Sequence, residues 1–172
     1  MAMPLSQDYN EAIQSPQLSF SDPELKQGEP TVNALGLPQP CSGNFADVYA
    51  VQSAQGKWAV KCFTRQIPGL RDRYKEISAY LQQVKLPFMV DFRFLDEGIK
   101  VKGQWYPILK MQWVEGYALN TFVKNYLDKP QTLDLLAQIW VKLARACARR
   151  RWATATCSTA TCSWCPGGRR MR

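Results

Sequence analysis

Short apolar stretches separated by turn residues occupy the middle of the chain. Residues 47–51 and 57–63 alternate between apolar and polar side chains, and residues 53–56 are of the types that form turns. A period of two residues is typical of strands with one buried face, and a short turn joins such strands in antiparallel pairs. This part of the chain therefore predicts a β-hairpin.

The pattern then changes to the period of a helix. Residues 70–84 place four apolar residues on one helical face, namely Ile77, Tyr80, Leu81 and Val84. Residues 88–95 and 104–113 return to strand-like patterns, and residues 96–98 predict the turn between them. We expect a helix followed by two more strands.

Two helices are predicted after this sheet. Residues 119–126 form a short helix, and a longer one begins near Thr132, a residue type that often caps helices. The apolar face of the longer helix consists of Leu133, Leu136, Ala137, Trp140, Leu143 and Ala144. The order of elements predicts an α+β fold, in which about five antiparallel strands and one crossing helix precede two helices of an unfinished helical lobe.

Residues 1–33 differ in composition from the residues that follow. They are rich in Gln, Ser, Pro and acidic residues, and their apolar residues show no sustained period of either kind. We predict a polar N-terminal extension, partly docked through Phe20, in front of a truncated domain that covers residues 34–146.

Charge and cysteine content set the end of the chain apart. The net charge is +8, yet residues 1–143 carry fifteen basic and fourteen acidic residues, whereas residues 144–172 carry seven arginines and no acid. Four of the six cysteines also lie in residues 147–172. The domain is therefore nearly neutral, and residues 147–172 are interpreted as an unstructured tail rich in Arg and Cys.

The chain shows no sign of a membrane or secretory protein. Its first residues lack both a charged n-region and an apolar run, and no later stretch has the length needed to span a bilayer. These features predict a cytoplasmic protein with reduced thiols and no membrane partner.

Residues 41–49, with the sequence CSGNFADVY, contain candidate phosphate-binding positions. They resemble the glycine-rich loop of protein kinases, G-x-G-x-x-G-x-V, in which backbone amides approach the phosphates of a nucleotide. Gly43 and Val48 match this pattern, whereas Cys41 and Ala46 stand where the family usually has glycine. The resemblance implies that Gly43, Ala46 and Val48 line a nucleotide site.

Two further segments resemble parts of the same family. Residues 58–61, with the sequence WAVK, are similar to its V-A-I-K strand, which implies that Lys61 holds the α and β phosphates of ATP. The resemblance also implies that Glu76, on the predicted helix, orients Lys61.

The third segment, residues 106–116, is similar to the family's fifth strand and hinge. This similarity implies a gatekeeper side chain at Met111 and backbone contacts to adenine from Gln112 to Val114. Taken together, the resemblance implies an ATP-binding domain whose parent activity is Mg²⁺-dependent phosphotransfer to a protein Ser or Thr hydroxyl.

The catalytic motifs of that family are missing from the sequence. A kinase requires a catalytic loop of the form H-x-D-L-x-x-x-N and a metal-binding D-F-G, but the chain has no histidine and no aspartate after Asp134. We therefore assign no catalytic or metal-binding residue, and we predict weak nucleotide affinity and no kinase activity for this polypeptide.

A shifted reading frame accounts for the composition of the tail. When the codons of residues 152–167 are read from their third base, the permitted residues include the run G-H-G-D-L-Q-H-G-N-V-L-L-V-P-G, which contains such a catalytic loop. We interpret the tail as frameshifted, so that its arginines and cysteines carry no selected function.

Other interpretations of the same residues stay open. The shifted loop resembles that of aminoglycoside-type phosphotransferases as closely, so the parent substrate could be a small molecule, and the printed sequence also suits a non-catalytic, pseudokinase-like binding module. Read literally, Cys157, Cys162, Cys165 and Cys147 suggest a zinc site, and the arginines of the tail suggest incidental binding to nucleic acid.

Overall fold

The computed structural model describes residues 3–84, 89–90 and 92–149 of the chain. These residues belong to two compact units, of which the first ends at Trp113 and the second begins at Val114. The first unit has the predicted α+β character, with helices packed on an antiparallel sheet of six strands.

The first unit begins with three short helices and continues with the sheet and one longer helix. Its elements in chain order are α1 Ser6–Ile13, α2 Pro16–Ser19, α3 Pro23–Lys26, β1 Glu29–Pro30, β2 Cys41–Ser42, β3 Ala46–Ser53, β4 Gly56–Phe63, α4 Leu70–Val84, β5 Phe92–Val101 and β6 Gln104–Gln112. The strand order is β1-β3-β4-β6-β5, and β2 pairs with the other end of β3. The predicted hairpin is confirmed as β3 and β4, and α4 has the predicted bounds.

The turn predicted at residues 96–98 is wrong. The strand β5 continues through these residues, and its pairing with β6 shifts in register between Leu95 and Ile99. The chain reverses instead at Lys102 and Gly103, whose φ angles are 48° and 83°. Two successive residues with positive φ suit the right-handed twist of a hairpin, so this pair, and not the stretch that contains Gly98, makes the turn.

Residues 3–33 are not the polar extension that the sequence predicts. Four of their apolar side chains are fully buried, namely Tyr9, Ile13, Phe20 and Leu25. They pack against one face of the sheet with Tyr49, Val51, Val60, Cys62, Ile99, Val101 and Ile108. The sequence showed no helical or strand period here because each helix and strand of this segment has eight residues or fewer. A hydrophobic pattern must continue over more residues than that to be recognised.

The opposite face of the sheet carries α4. A smaller core forms there from Ala46, Phe63 and Leu109, against which Leu70, Tyr74, Phe92 and Phe94 pack. The ring of Tyr74 lies 5.7 Å from that of Phe63 and 6.1 Å from that of Phe94, measured between centroids. The sheet is therefore covered by the N-terminal helices on one face and by α4 on the other.

The second unit contains the two predicted helices, α5 Leu119–Asn125 and α6 Pro130–Arg149. The prediction of Thr132 as the N-cap of α6 is wrong, because the helix begins two residues earlier at Pro130 and the Thr132 amide already donates to the Lys129 carbonyl at 3.0 Å. Proline is favoured in the first turn of a helix because its fixed φ is helical and it has no amide to leave unpaired. Several apolar side chains of α6 are exposed, including Leu135, Ile139 and Trp140.

Candidate functional site

The hairpin that resembles a glycine-rich loop is formed by β2 and β3. Cys41 faces Val48 across this pair, and the Gly43 amide donates a hydrogen bond of 2.9 Å to the Ala46 carbonyl. A β carbon added to Gly43 would meet only that carbonyl oxygen, at 3.4 Å. The hairpin itself therefore has room for a side chain at Gly43.

The tip of the hairpin is attached to the chain that leaves β4. The Thr64 amide donates to the Phe45 carbonyl at 3.0 Å, and the Arg65 guanidinium lies 5.9 Å from the centre of the Phe45 ring. Phe45 is about half exposed. The tip of the hairpin therefore presents an aromatic ring and a basic group side by side.

Three neighbouring strands bring together most of the predicted site residues. Val48 on β3 faces Lys61 on β4, which faces Leu109 on β6. Two residues along the strands, Ala50 faces Ala59, which faces Met111. Side chains two residues apart on a strand point to the same side of a sheet. We refer to the group formed by Val48, Ala50, Ala59, Lys61, Leu109 and Met111 as the lysine face. Four of these residues, Val48, Ala50, Ala59 and Leu109, are buried, and Leu109 belongs to the core on which α4 packs.

Lys61 is the charged group of the lysine face. Its ammonium lies 5.8 Å from the centre of the Phe63 ring, two residues further along β4. Burial lowers the pKa of Lys61 below its ordinary value of 10.5, because the charged form loses solvation. A partly desolvated ammonium interacts more strongly with an anion than a fully hydrated one does.

Glu76 is exposed on the surface of α4. It lies between Tyr74 and Ser78, which face the sheet. Among the ion pairs formed between described residues, none joins Glu76 to Lys61. The orienting role of Glu76 stays a prediction.

The predicted hinge residues lie at the end of β6. Gln112 is the last residue of the strand and is exposed, and the amide of Trp113 donates to the Lys57 carbonyl at 2.9 Å. This bond extends the pairing of β4 and β6 by one residue beyond Gln112 and uses the Trp113 amide. Val114 is exposed and belongs to the second unit.

The face of the sheet opposite the lysine face contains a buried charge cluster that the sequence did not reveal. The ammonium of Lys110 is only 1% exposed and makes ion pairs with Asp22 at 2.8 Å and with Glu24 at 2.7 Å. The indole N–H of Trp58 donates to the other oxygen of Glu24, which also accepts a hydrogen bond of 2.7 Å from Ser53. The Lys110 ammonium lies 4.4 Å from the centre of the Trp58 ring.

Part of this cluster had a signal in the sequence. Asp22 caps α3 by accepting hydrogen bonds from the amides of Glu24 and Leu25, and Pro23 occupies the first helical position. An Asp-Pro pair before an acidic residue is a recognisable helix start. The pairing with Lys110 had no such signal, because the partners are 86 and 88 residues apart in the chain.

Neither a metal site nor a membrane-spanning helix is found among the described residues. Within the described ranges, no group of three or more His, Cys, Asp or Glu side chains could hold a metal ion. In the same ranges, no helix combines the length and apolarity needed to cross a membrane. The shifted frame of residues 152–167, the zinc site and the arginine-rich tail all depend on residues that lie outside the described ones.

Comparison with known proteins adds no evidence to this geometry. The chain matches no protein-family model, no curated protein and no solved structure.

Proposed function

We propose that the first unit is the nucleotide-binding lobe of a protein-kinase-like phosphotransferase, with ATP as its ligand. The observation that carries this proposal is the adjacency of β3, β4 and β6, which places Val48, Lys61 and Met111 on one face of the sheet. These residues come from three separate segments whose sequences resemble the same family. In the sheet, Val48 and Lys61 form one residue pair, and Met111 lies two residues along the strands from that pair.

The lysine face has the chemistry that a nucleotide requires. Ala50 and Ala59 lie side by side on neighbouring strands, and their small, buried side chains form an apolar floor between Val48 and Met111. A planar base can stack on such a floor, since ligand sites are mostly apolar with a few placed polar groups. Lys61 supplies the positive charge for the phosphates at one end of this floor.

Gly43 supports the same interpretation. Its φ is not in the left-handed region, and its surroundings have room for a β carbon. The fold of the hairpin therefore gives no reason for a glycine at this position. We propose that the reason is the ligand, because glycine allows the backbone to approach a phosphate group closely.

The parent activity that we propose is transfer of a phosphoryl group from ATP and Mg²⁺ to a protein Ser or Thr hydroxyl in the cytoplasm, and a small-molecule acceptor is the alternative. This chain has no histidine and no aspartate after Asp134, so it offers no assigned catalytic base or Mg²⁺ ligand. That observation favours, as a second candidate, a module that binds ATP weakly without turning it over.

Calorimetric titration with ATP and Mg²⁺ tests the proposal. The unaltered chain is expected to bind ATP weakly, and Lys61→Met is expected to weaken binding about tenfold or more, the value of one charged hydrogen bond. Lys100→Met is the matched control, because Lys100 is exposed on β5 beside Trp105. Equal affinities for the unaltered chain and Lys61→Met would contradict the proposal, and a tight, Mg²⁺-dependent complex would contradict the predicted weak affinity.

A further inference from the structure

The lysine face lies directly in front of the buried charge cluster. Trp58 precedes Ala59 on β4, and Lys110 lies between Leu109 and Met111 on β6. Because successive side chains of a strand point to opposite faces, Trp58 and Lys110 are behind the floor of the lysine face. We call the group formed by Asp22, Glu24, Trp58 and Lys110 the carboxylate clamp.

Glu24 is the member that connects the two strands. One of its oxygens accepts from the indole of Trp58 on β4, and the other pairs with the ammonium of Lys110 on β6 at 2.7 Å. Trp58 and Lys110 are on neighbouring strands, two pairing positions apart. A single carboxylate from α3 therefore spans β4 and β6 at the level of Ala59 and Met111.

The clamp depends on all of its charged members. Lys110 is 1% exposed and is paired with two carboxylates, so the loss of either one changes the charge balance around an ammonium that solvent cannot reach. Leaving a buried charge incompletely compensated is strongly unfavourable, whereas an exposed pair contributes little. We expect the strands to move when a clamp member is removed, because the ammonium must then find a new partner or reach water.

We infer that the carboxylate clamp is a positioning device for the lysine face, through which the N-terminal helices hold β4 and β6 in register for nucleotide binding. Asp22, Glu24, Trp58 and Lys110 touch no ligand in this role and act only through the strands. The inference rests on the proposed function for its ligand, but the mechanical part can be measured without one.

Two clamp variants with matched controls test the inference on the full chain. Glu24→Gln keeps the shape of the side chain and removes its charge, and Glu11→Gln makes the same change on the exposed surface of α1. Lys110→Met removes the buried ammonium, and Lys102→Met makes the same change at an exposed lysine, which pairs with Asp8 of α1 from the β5–β6 turn. If Lys110→Met does not fold, the inference can still be tested with Glu24→Gln, which is the milder change.

The measurements are ATP affinity and amide hydrogen exchange, both under conditions in which urea titration shows each variant to be folded. We expect Glu24→Gln to weaken ATP binding about tenfold per folded molecule, which is within the range of effects known for residues that act on a binding site without contacting its ligand. Exchange should become faster at the paired amides of β4 and β6, including that of Trp113, and neither control should show either change.

The possible outcomes separate the two proposals. If the unaltered chain binds ATP and both clamp variants bind it equally well when folded, the cluster is merely stabilising and the positioning role is overturned. If the unaltered chain binds no nucleotide but Glu24→Gln selectively speeds exchange between β4 and β6, the proposed function fails and the positioning of the strands is supported. Unchanged exchange in Glu24→Gln overturns the inference whatever the affinity.

Discussion

Lys110 and Glu24, which are 86 residues apart in the chain, form an ion pair of 2.7 Å on the face of the sheet opposite Lys61. The pair connects β6 to the N-terminal helices, and the Lys110 side chain is only 1% exposed. It makes residues 22–24 part of the structural unit that carries the lysine face. A fragment that begins near residue 34 would leave the Lys110 ammonium buried without these two carboxylates, so residues 3–33 should be kept in any study of this unit.

Acid should destabilise the protein through Glu24. Burial raises the pKa of this carboxyl, but hydrogen bonds from Lys110, Ser53 and Trp58 outweigh burial, and the net pKa lies below its ordinary value of 4.5. The unfolded chain therefore takes up the proton first, so the stabilising contribution is complete above pH 4.5 and is lost as the pH falls through the lower, folded-state pKa.

Urea titrations between pH 7 and pH 3 measure this effect. The unfolding midpoint of the unaltered chain should fall more steeply below pH 4.5 than that of Glu24→Gln, which has no proton to take up at this position. Parallel pH profiles for the two proteins would show that Glu24 does not contribute to acid sensitivity.

Nucleotide binding should weaken as the pH rises. The weakening should begin at a lower pH than it would if Lys61 had the pKa of an ordinary lysine. Burial lowers the pKa of Lys61 below 10.5, so the ammonium loses its charge earlier as the pH rises. The contact with the phosphates needs the charged ammonium, so its loss weakens binding. The free energy of unfolding changes the other way and increases with pH, because the unfolded chain binds more protons than the folded one between the two pKa values. Raising the pH through the lowered pKa should therefore stabilise the fold and weaken ATP binding.

Lys61→Arg is the control for this pH dependence. Arginine stays charged throughout the accessible range, so its ATP affinity should not change between pH 7 and pH 10.5, the ordinary pKa of lysine. If the affinity of the unaltered chain is equally constant over that range, Lys61 does not provide the charge that binds the phosphates.

Gly43→Ala should separate ligand binding from folding. The added β carbon would lie 3.4 Å from the Ala46 carbonyl oxygen, an ordinary contact, so we expect the free energy of unfolding to change by less than about 0.5 kcal/mol. ATP affinity should nevertheless decrease, because the backbone can no longer approach a phosphate as closely. A large loss of stability, or unchanged affinity, would contradict the role that we propose for Gly43.

Gly98→Ala is the counterpart with the opposite expectation. A β carbon at Gly98 would clash with Ile108, whose Cδ1 atom lies 2.7 Å away. Forcing an extra methyl group into a packed core costs about 1–3 kcal/mol. Urea titration of the two alanine variants side by side therefore shows whether each glycine is required by packing or by the ligand.

Tyr9→Phe should weaken the attachment of α1 to the sheet. The Tyr9 hydroxyl is fully buried and donates a hydrogen bond of 2.8 Å to the Phe63 carbonyl, at the end of β4. Removing this donor leaves a buried acceptor unpaired, at a cost of about 1–3 kcal/mol in the free energy of unfolding.

Tyr106→Phe serves as the control for Tyr9→Phe, because the Tyr106 hydroxyl donates its hydrogen bond of 3.1 Å to the exposed side chain of Gln104. It should change the unfolding free energy by less than about 0.5 kcal/mol. Similar unfolding midpoints for Tyr9→Phe and the unaltered chain would rule out a structural role for this buried hydrogen bond.

The periodic part of the chain was predictable because its elements are long. The fifteen residues of α4 repeat the helical pattern over four turns, and its bounds agree with the prediction. The β5–β6 turn was misplaced because Gly98 satisfies the usual preference for turn residues, whereas its actual role is to let Ile108 approach the backbone. Glycine required by packing and glycine required by a turn look the same in a sequence.

The sequence by itself determined the β3–β4 hairpin, β6, α4 and, with misplaced bounds, β5, but not β1 or β2. It also identified Gly43, Lys61 and Met111 as candidates by local pattern alone. Only the tertiary structure decided that β4 lies between β3 and β6, so that these segments share one face, and that Asp22 and Glu24 compensate the buried Lys110. Local patterns fix secondary structure because propensity and amphipathicity act over a few residues. The order of strands and the partners of a buried charge depend instead on contacts between distant parts of the chain, and no local pattern encodes those.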